Sequence, residues 1–184
     1  MSESHIYYLP GRGGRLETGL GQALTSRGLS VSGRETVGDF TQLSFQDQIE
    51  LVAKDLTTNF WQENAKVIGN SYGAYLFLHA QSILPSFPGK VLLLSPIIGE
   101  FNNENVGTHF IPPRSRQLVS LVDIGQYPVP NDCEIHVGEL DWQSNPETVM
   151  KMGNRLRMRV SVVPGAGHML PKTYVGELLD RWLK

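Results

Sequence analysis

Along the chain, short runs of consecutive apolar residues alternate with longer segments in which apolar positions recur three or four residues apart. The first pattern suits strands buried on both sheet faces, and the second suits helices packed by one face. "HIYYL" at 5–9 reads as a first strand, stopped by the glycine-rich "PGRGG". Leu16, Leu20 and Leu24 predict a helix over 16–27. "LSVSGRETVG" is ambiguous and holds at most one strand. A clearer helix covers "FQDQIELVAKDLTTNFW", where Ile49, Val52, Ala53, Leu56 and Phe60 share one face and Ser44 or Thr41 can cap the start. Next come a strand in "AKVIG", an apolar helix in "AYLFLHAQSIL" and a strand in "KVLLLSP". "CEIHVG" and "RVSVVPG" supply two more strands, and a helix follows near the carboxyl end.

This rhythm predicts a single domain over 1–184: an α/β fold of three layers, with a mostly parallel sheet of about six strands. The chain of 184 residues is too short for a barrel of eight strand-helix units. Residues 97–132 break the rhythm. They hold "FNNENVGTHFIPPRSR", a helix around "QLVSLVD" and then "GQYPVPND", and are expected to form an excursion over one rim of the sheet. Long irregular segments of this kind are often functional.

Charge narrows the partners. Sixteen Lys and Arg against 18 Asp and Glu give a net charge of -2, with no basic block. Nucleic acid is therefore not expected, because phosphate neutralisation needs clustered positive charge. The nearest approach, "RLRMR" at 155–159, reads as a solvated face at a helix end. The single cysteine, Cys133, allows no intrachain disulfide and no cysteine-built zinc site, and reads as a partly buried small residue. No stretch approaches the roughly 18 apolar residues of a membrane span. The expectation is a soluble, cytoplasmic protein without membrane insertion and without a metal. Composition leaves the oligomeric state open.

Candidate chemistry begins at "KVIGNSYGAYL". Gly69, Ser71 and Gly73 form G-x-S-x-G between a strand and a helix, the context in which that pattern has a mechanical meaning. A sharp turn lifts the serine hydroxyl clear, the glycines admit a closely approaching chain, and the helix amino terminus favours negative charge nearby. A serine needs a base. Among five histidines, His5 starts the first strand, His79 lies on the helix after Ser71, His109 falls in the excursion, and His136 inside "EIHV" reads as structural. His168 instead follows the last strand in the loop "GAGHM", where carboxyl-end loops of a parallel sheet line a crevice. For the acid, "VGELD" offers Glu139 and Asp141 beyond another strand. Asp141 is preferred because it lies deeper in the loop, while Ser144 or Asn145 can cap the next helix, with Pro146 at its first position and Glu147 completing a capping box if Ser144 is the cap. Asp123 is the rival, and Asp132 is less well placed.

With "GNSYG", "VGELD" and "GAGHM" in that order, the chain resembles the α/β-hydrolase superfamily, as a small member without a large lid. The resemblance spans almost the whole chain. It implies a Ser71-His168-Asp141 triad, no cofactor, and an oxyanion hole made by the backbone N–H of Tyr72 and one from the first strand's exit loop. Where many members read histidine-glycine in that loop, this chain has Pro10-Gly11 followed by Arg12-Gly13-Gly14. By position Arg12 supplies the second donor, with Gly13 as runner-up, and the Arg12 side chain is available to a polar substrate. The function so implied is a serine hydrolase acting on a small-molecule acyl substrate, an ester or thioester. An amidase or peptidase using the same triad, and a noncatalytic interaction domain with a blocked serine, are the alternatives.

Overall fold

Alternate residues of a strand face opposite ways, and here both directions are apolar. In the computed structural model, which describes residues 5–184, Tyr7 and Leu9 of β1 (His5–Leu9) pack into one cluster while Ile6 and Tyr8 pack into another. β3 (Lys66–Asn70) and β4 (Lys90–Leu94) divide the same way, with Val67, Val91 and Leu93 on the first side and Ile68, Leu92 and Leu94 on the second. The unbroken apolar runs follow directly, since a sheet covered on both faces has no wet side.

With β2 (Ser30–Gly33), β7 (Asp132–Gly138) and β8 (Arg159–Val163), these strands form a six-stranded parallel sheet in the order β2, β1, β3, β4, β7, β8. Side chains of the short α2 (Asp39–Gln42), α3 (Phe45–Asn59), α4 (Tyr72–Ser82), α5 (Gln117–Asp123) and α6 (Pro146–Leu156) pack into the first cluster. Those of α1 (Leu20–Thr25) and α7 (Lys172–Trp182) fill the second. The result is the expected three-layer α/β arrangement. α3 buries Ile49, Val52, Ala53 and Leu56, and Ser44 caps it by accepting the Asp47 N–H. Among the described residues, no helix is long and apolar enough to cross a membrane.

Several local expectations change. The helix predicted over 16–27 forms only over 20–25: Gly19 adopts φ 54°, and the Leu16 N–H is drawn to the Glu35 carboxylate instead of a helical path. Cys133 is fully buried rather than partly so. "RLRMR" is not one solvated face. Arg155 ends α6 in a pair with Asp123, Arg157 turns the chain at φ 56°, Met158 is buried, and Arg159 opens β8 beside Asp132.

The segment 97–132 contains α5 where "QLVSLVD" predicted it, but also an antiparallel pair that the pattern did not reveal, β5 (Phe101–Asn103) with β6 (Thr108–Phe110). A single 3-10 turn and Gly107 at φ 64° connect the two strands, and Phe101 and Phe110 face each other with ring centres 5.1 Å apart.

Candidate active site

Chain order places β2 on one side of β1 and every later strand of the main sheet on the other. The exit loops of β1 and β3 therefore diverge, and a crevice opens at this switch point. Register aligns the strand ends: Leu9 lies beside Gly69, Asn70 beside Leu94, and Leu94 beside His136. Ser71, Asp141 and His168 all follow strands at this one edge.

Ser71 sits at φ 52°, ψ -116°, a conformation that L-residues avoid. Its N–H donates to the Leu94 carbonyl at 2.9 Å and its own carbonyl accepts from the Ile97 N–H at 3.2 Å, so β4 and the start of the excursion hold the turn. The flanking glycines are required by space. A Cβ on Gly73 would stand 2.0 Å from the Leu9 carbonyl oxygen, and one on Gly69 would stand 2.8 Å from the Ala74 Cα.

The other two loops are joined to each other. Glu139, the alternative acid, accepts the Gly165 N–H at 2.8 Å, and the Leu140 N–H donates to the Ala166 carbonyl at 2.8 Å. Gly138 permits this approach, since a Cβ there would lie 2.2 Å from the Gly167 oxygen. Asp141 is 2% exposed, and its Oδ1 accepts the N–H groups of Gln143 and Ser144 at 2.9 Å each. His168 Nδ1 lies 2.8 Å from Asp141 Oδ2 and 3.0 Å from Oδ1, and His168 Nε2 lies 2.8 Å from Ser71 Oγ. A carboxylate only accepts, so Nδ1 carries the ring proton and Nε2 is left to accept from the serine.

Other candidates are engaged elsewhere. Asp123 and Asp132 pair with Arg155 and Arg159. His5 meets Ser32, His109 meets Glu100, and His136 lies between Glu134 and the Tyr174 hydroxyl, each at 2.6 or 2.7 Å. His79 is buried in α4 without a hydrogen-bond partner among the described residues, and burial, reinforced by Arg114, pushes its pKa down to about 4. Among the described residues, no group of three or more His, Cys, Asp or Glu is arranged to hold a metal.

The helix cap near the acid differs from one alternative. Asn145, not Ser144, caps α6 by accepting the Thr148 N–H, so no capping box with Glu147 forms. Ser144 instead donates its hydroxyl to the Pro96 carbonyl at 2.6 Å, fastening the Asp141 loop to the exit of β4. The sequence offers Ser144 only as a helix cap, and nothing beside it in the chain signals this tie to Pro96.

In the first exit loop, the Gly13 N–H donates to the Thr36 carbonyl at 3.1 Å and the Gly14 N–H to the Gly11 carbonyl at 2.9 Å. Gly13 is thereby occupied, whereas the Arg12 N–H has no backbone partner among the described residues. The loop lies against the serine, because a Cβ on Gly11 would be 3.3 Å from the Ser71 Cβ. Tyr72 is the first residue of α4, where N–H groups lack intrahelical acceptors.

Ser71, His168 and Arg12 line a cavity of about 1120 Å³. One wall comes from α1 and α7 through Leu20, Ala23, Val175 and Leu179, and the other from Phe101 and Phe110 of the β5–β6 pair together with Trp142. The Arg12 guanidinium is 5.0 Å from the Phe110 ring centre and 5.9 Å from that of Tyr72.

No family model and no curated protein matches this sequence. Solved structures do resemble its fold. Est1E from Butyrivibrio proteoclasticus superimposes with a TM-score of 0.69 at 15% identity, covering 98% of this chain and 87% of that one. A lipase-esterase related protein from Clostridium acetobutylicum gives 0.67 at 14% identity, over 98% and 95% of the two chains. The α/β hydrolase domain-containing protein 10 from mouse gives 0.65 at 13% identity, over 97% and 90%. With its parallel six-stranded sheet and the strained serine turn at the edge of β3, the chain has the α/β-hydrolase fold.

Proposed function

We propose that this protein is a serine hydrolase that cleaves a small ester or thioester through an acyl-enzyme intermediate. The observation that carries the reading is the unbroken relay from Ser71 Oγ to His168 Nε2 and from His168 Nδ1 to Asp141, both links at 2.8 Å, beside a cavity large enough for a small-molecule acyl substrate. A noncatalytic module with a blocked serine is disfavoured by the same placement of Ser71 in the cavity lining.

In this reading His168 takes the Ser71 proton as Oγ attacks the acyl carbon, and Asp141 fixes the ring orientation and stabilises the imidazolium. The backbone N–H groups of Tyr72 and Arg12 receive the developing oxyanion, with the amino terminus of α4 adding positive potential. Each such donor contributes about 3 kcal/mol to the transition state. The imidazolium then protonates the departing alcohol or thiol, and water hydrolyses the acyl-serine by the reverse proton route. Alcohols and thiols leave more readily than amines, so an ester or thioester is the bond assigned.

Hydrolysis of a short-chain aryl ester tests this. Wild type is expected to show turnover with a presteady-state burst approaching one equivalent, and Ser71→Ala to fall to the buffer rate. A folded Ser71→Ala chain with undiminished turnover would remove the proposal.

A further inference from the structure

Among the described residues, the cavity around Ser71 is lined by three cationic side chains, Arg12, Arg27 and Lys172, and by no carboxylate. Acidic residues nevertheless outnumber basic ones in the whole chain, 18 to 16. Arg27 is already engaged, holding Asp180 at 2.8 Å and the carbonyls of Ala23 and Gly176. Arg12 differs. It has no carboxylate at salt-bridge distance among the described residues, and of the four arginines of which this is true, with Arg114, Arg116 and Arg157, it is the one in the lining of this cavity.

What Arg12 does contact is aromatic. Its guanidinium lies over Phe110 of β6 and beside Tyr72, the residue after the proposed nucleophile. An aromatic ring restrains the cation without using its N–H donors, and those donors match the oxygens of a carboxylate or phosphate. Gly11, its neighbour, packs against Ser71, and Arg12 and Ser71 line the same cavity. Where α1 and α7 line the cavity, Leu20, Ala23, Leu170, Val175 and Leu179 supply an aliphatic strip, with Arg27 and Lys172 also in the lining.

The geometry points to an ester with two unlike ends as the substrate: an oxyanionic acyl part bound by the Arg12 guanidinium, and an aliphatic part lying in the groove between α1 and α7. This assignment rests on the hydrolase reading of the same cavity and adds the chemical class of its substrate.

Binding to the Ser71→Ala chain separates the two claims, because it needs no turnover. Three hexyl esters serve as probes: monohexyl succinate, hexyl 3-phosphonopropionate and the neutral hexyl methyl succinate. By calorimetry the two anionic esters are expected to bind about tenfold more tightly than the neutral one, the scale of one charge-assisted contact at a partly exposed site. In the Ser71→Ala, Arg12→Ala double variant the ratio falls towards one, and Arg12→Lys in the same background restores part of it. Equal affinity for charged and neutral esters with Arg12 present overturns the inference, as does a preference that survives Arg12→Ala. Wild-type hydrolysis of the neutral ester, measured alongside, reports on the catalytic reading alone.

Discussion

Replacing Asp141 with asparagine changes one oxygen into an amide nitrogen, and the structure dictates which. Oδ1 accepts two backbone N–H groups, from Gln143 and Ser144. An amide NH₂ placed there would face two donors, so the asparagine oxygen must stay at Oδ1 and its nitrogen must take the place of Oδ2, 2.8 Å from His168 Nδ1. The histidine then meets a donor at its shorter contact, and the oxygen kept at Oδ1, 3.0 Å from Nδ1, is already engaged by two N–H groups. Its favoured tautomer becomes the one with Nδ1 bare and Nε2 protonated, and a protonated Nε2 cannot accept the Ser71 proton. Loss of the correct tautomer in an equivalent triad lowers turnover by about 10⁴, or about 5 kcal/mol of barrier. The turn from Asp141 to Ser144 keeps both N–H contacts, so the melting temperature is expected to stay within about 5 °C of wild type. Steady-state hydrolysis of an aryl ester, paired with thermal unfolding, measures both. A folded Asp141→Asn enzyme within tenfold of wild type would refute the reasoning, and a larger loss in Asp123→Asn would move the acid to the excursion.

Two further changes probe the scaffold. Gly73→Ala places a methyl group 2.0 Å from the Leu9 oxygen, a backbone atom that cannot rotate away; a loss of about 2 kcal/mol or more, and about 4–8 °C in Tm, is expected, and an unchanged Tm would contradict the close approach of β1 to α4. His79, buried with a pKa near 4, binds a proton in the unfolded chain between pH 6.5 and 4 that the folded chain excludes. Stability therefore falls as pH drops through that window, by about 3 kcal/mol from this residue. His79→Phe keeps the ring packed against Phe45 and Tyr75, removes two unpartnered nitrogens, and is expected to flatten the Tm profile between pH 7 and pH 4 without lowering Tm at pH 7; parallel profiles for the two chains would count against it.

The parts of this molecule legible in sequence are those whose signal is local. "KVIGN" and "KVLLL" are buried on both faces, so burial itself writes the strand, and the helical repeat from Ile49 to Leu56 records one packed face. The grouping of Ser71, Asp141 and His168 was legible because each follows a strand at the same sheet edge. The β5–β6 pair was hidden, since three-residue strands are too short to show alternation. Ser144 was hidden for another reason: its hydroxyl bonds to Pro96, and nothing near Ser144 in the chain announces that partner. The contact of the Gly13 N–H with the carbonyl of the distant Thr36 was hidden in the same way.

The central claim is that Ser71 is a nucleophile activated by His168 and exposed to small molecules. Fluorophosphonate labelling followed by intact-protein and peptide mass measurement addresses it without assuming any substrate. The account predicts one adduct per chain, on the peptide carrying Ser71, absent in Ser71→Ala and slowed by orders of magnitude in His168→Ala. An unlabelled wild type, or an adduct of equal yield on the Ser71→Ala chain, would contradict it.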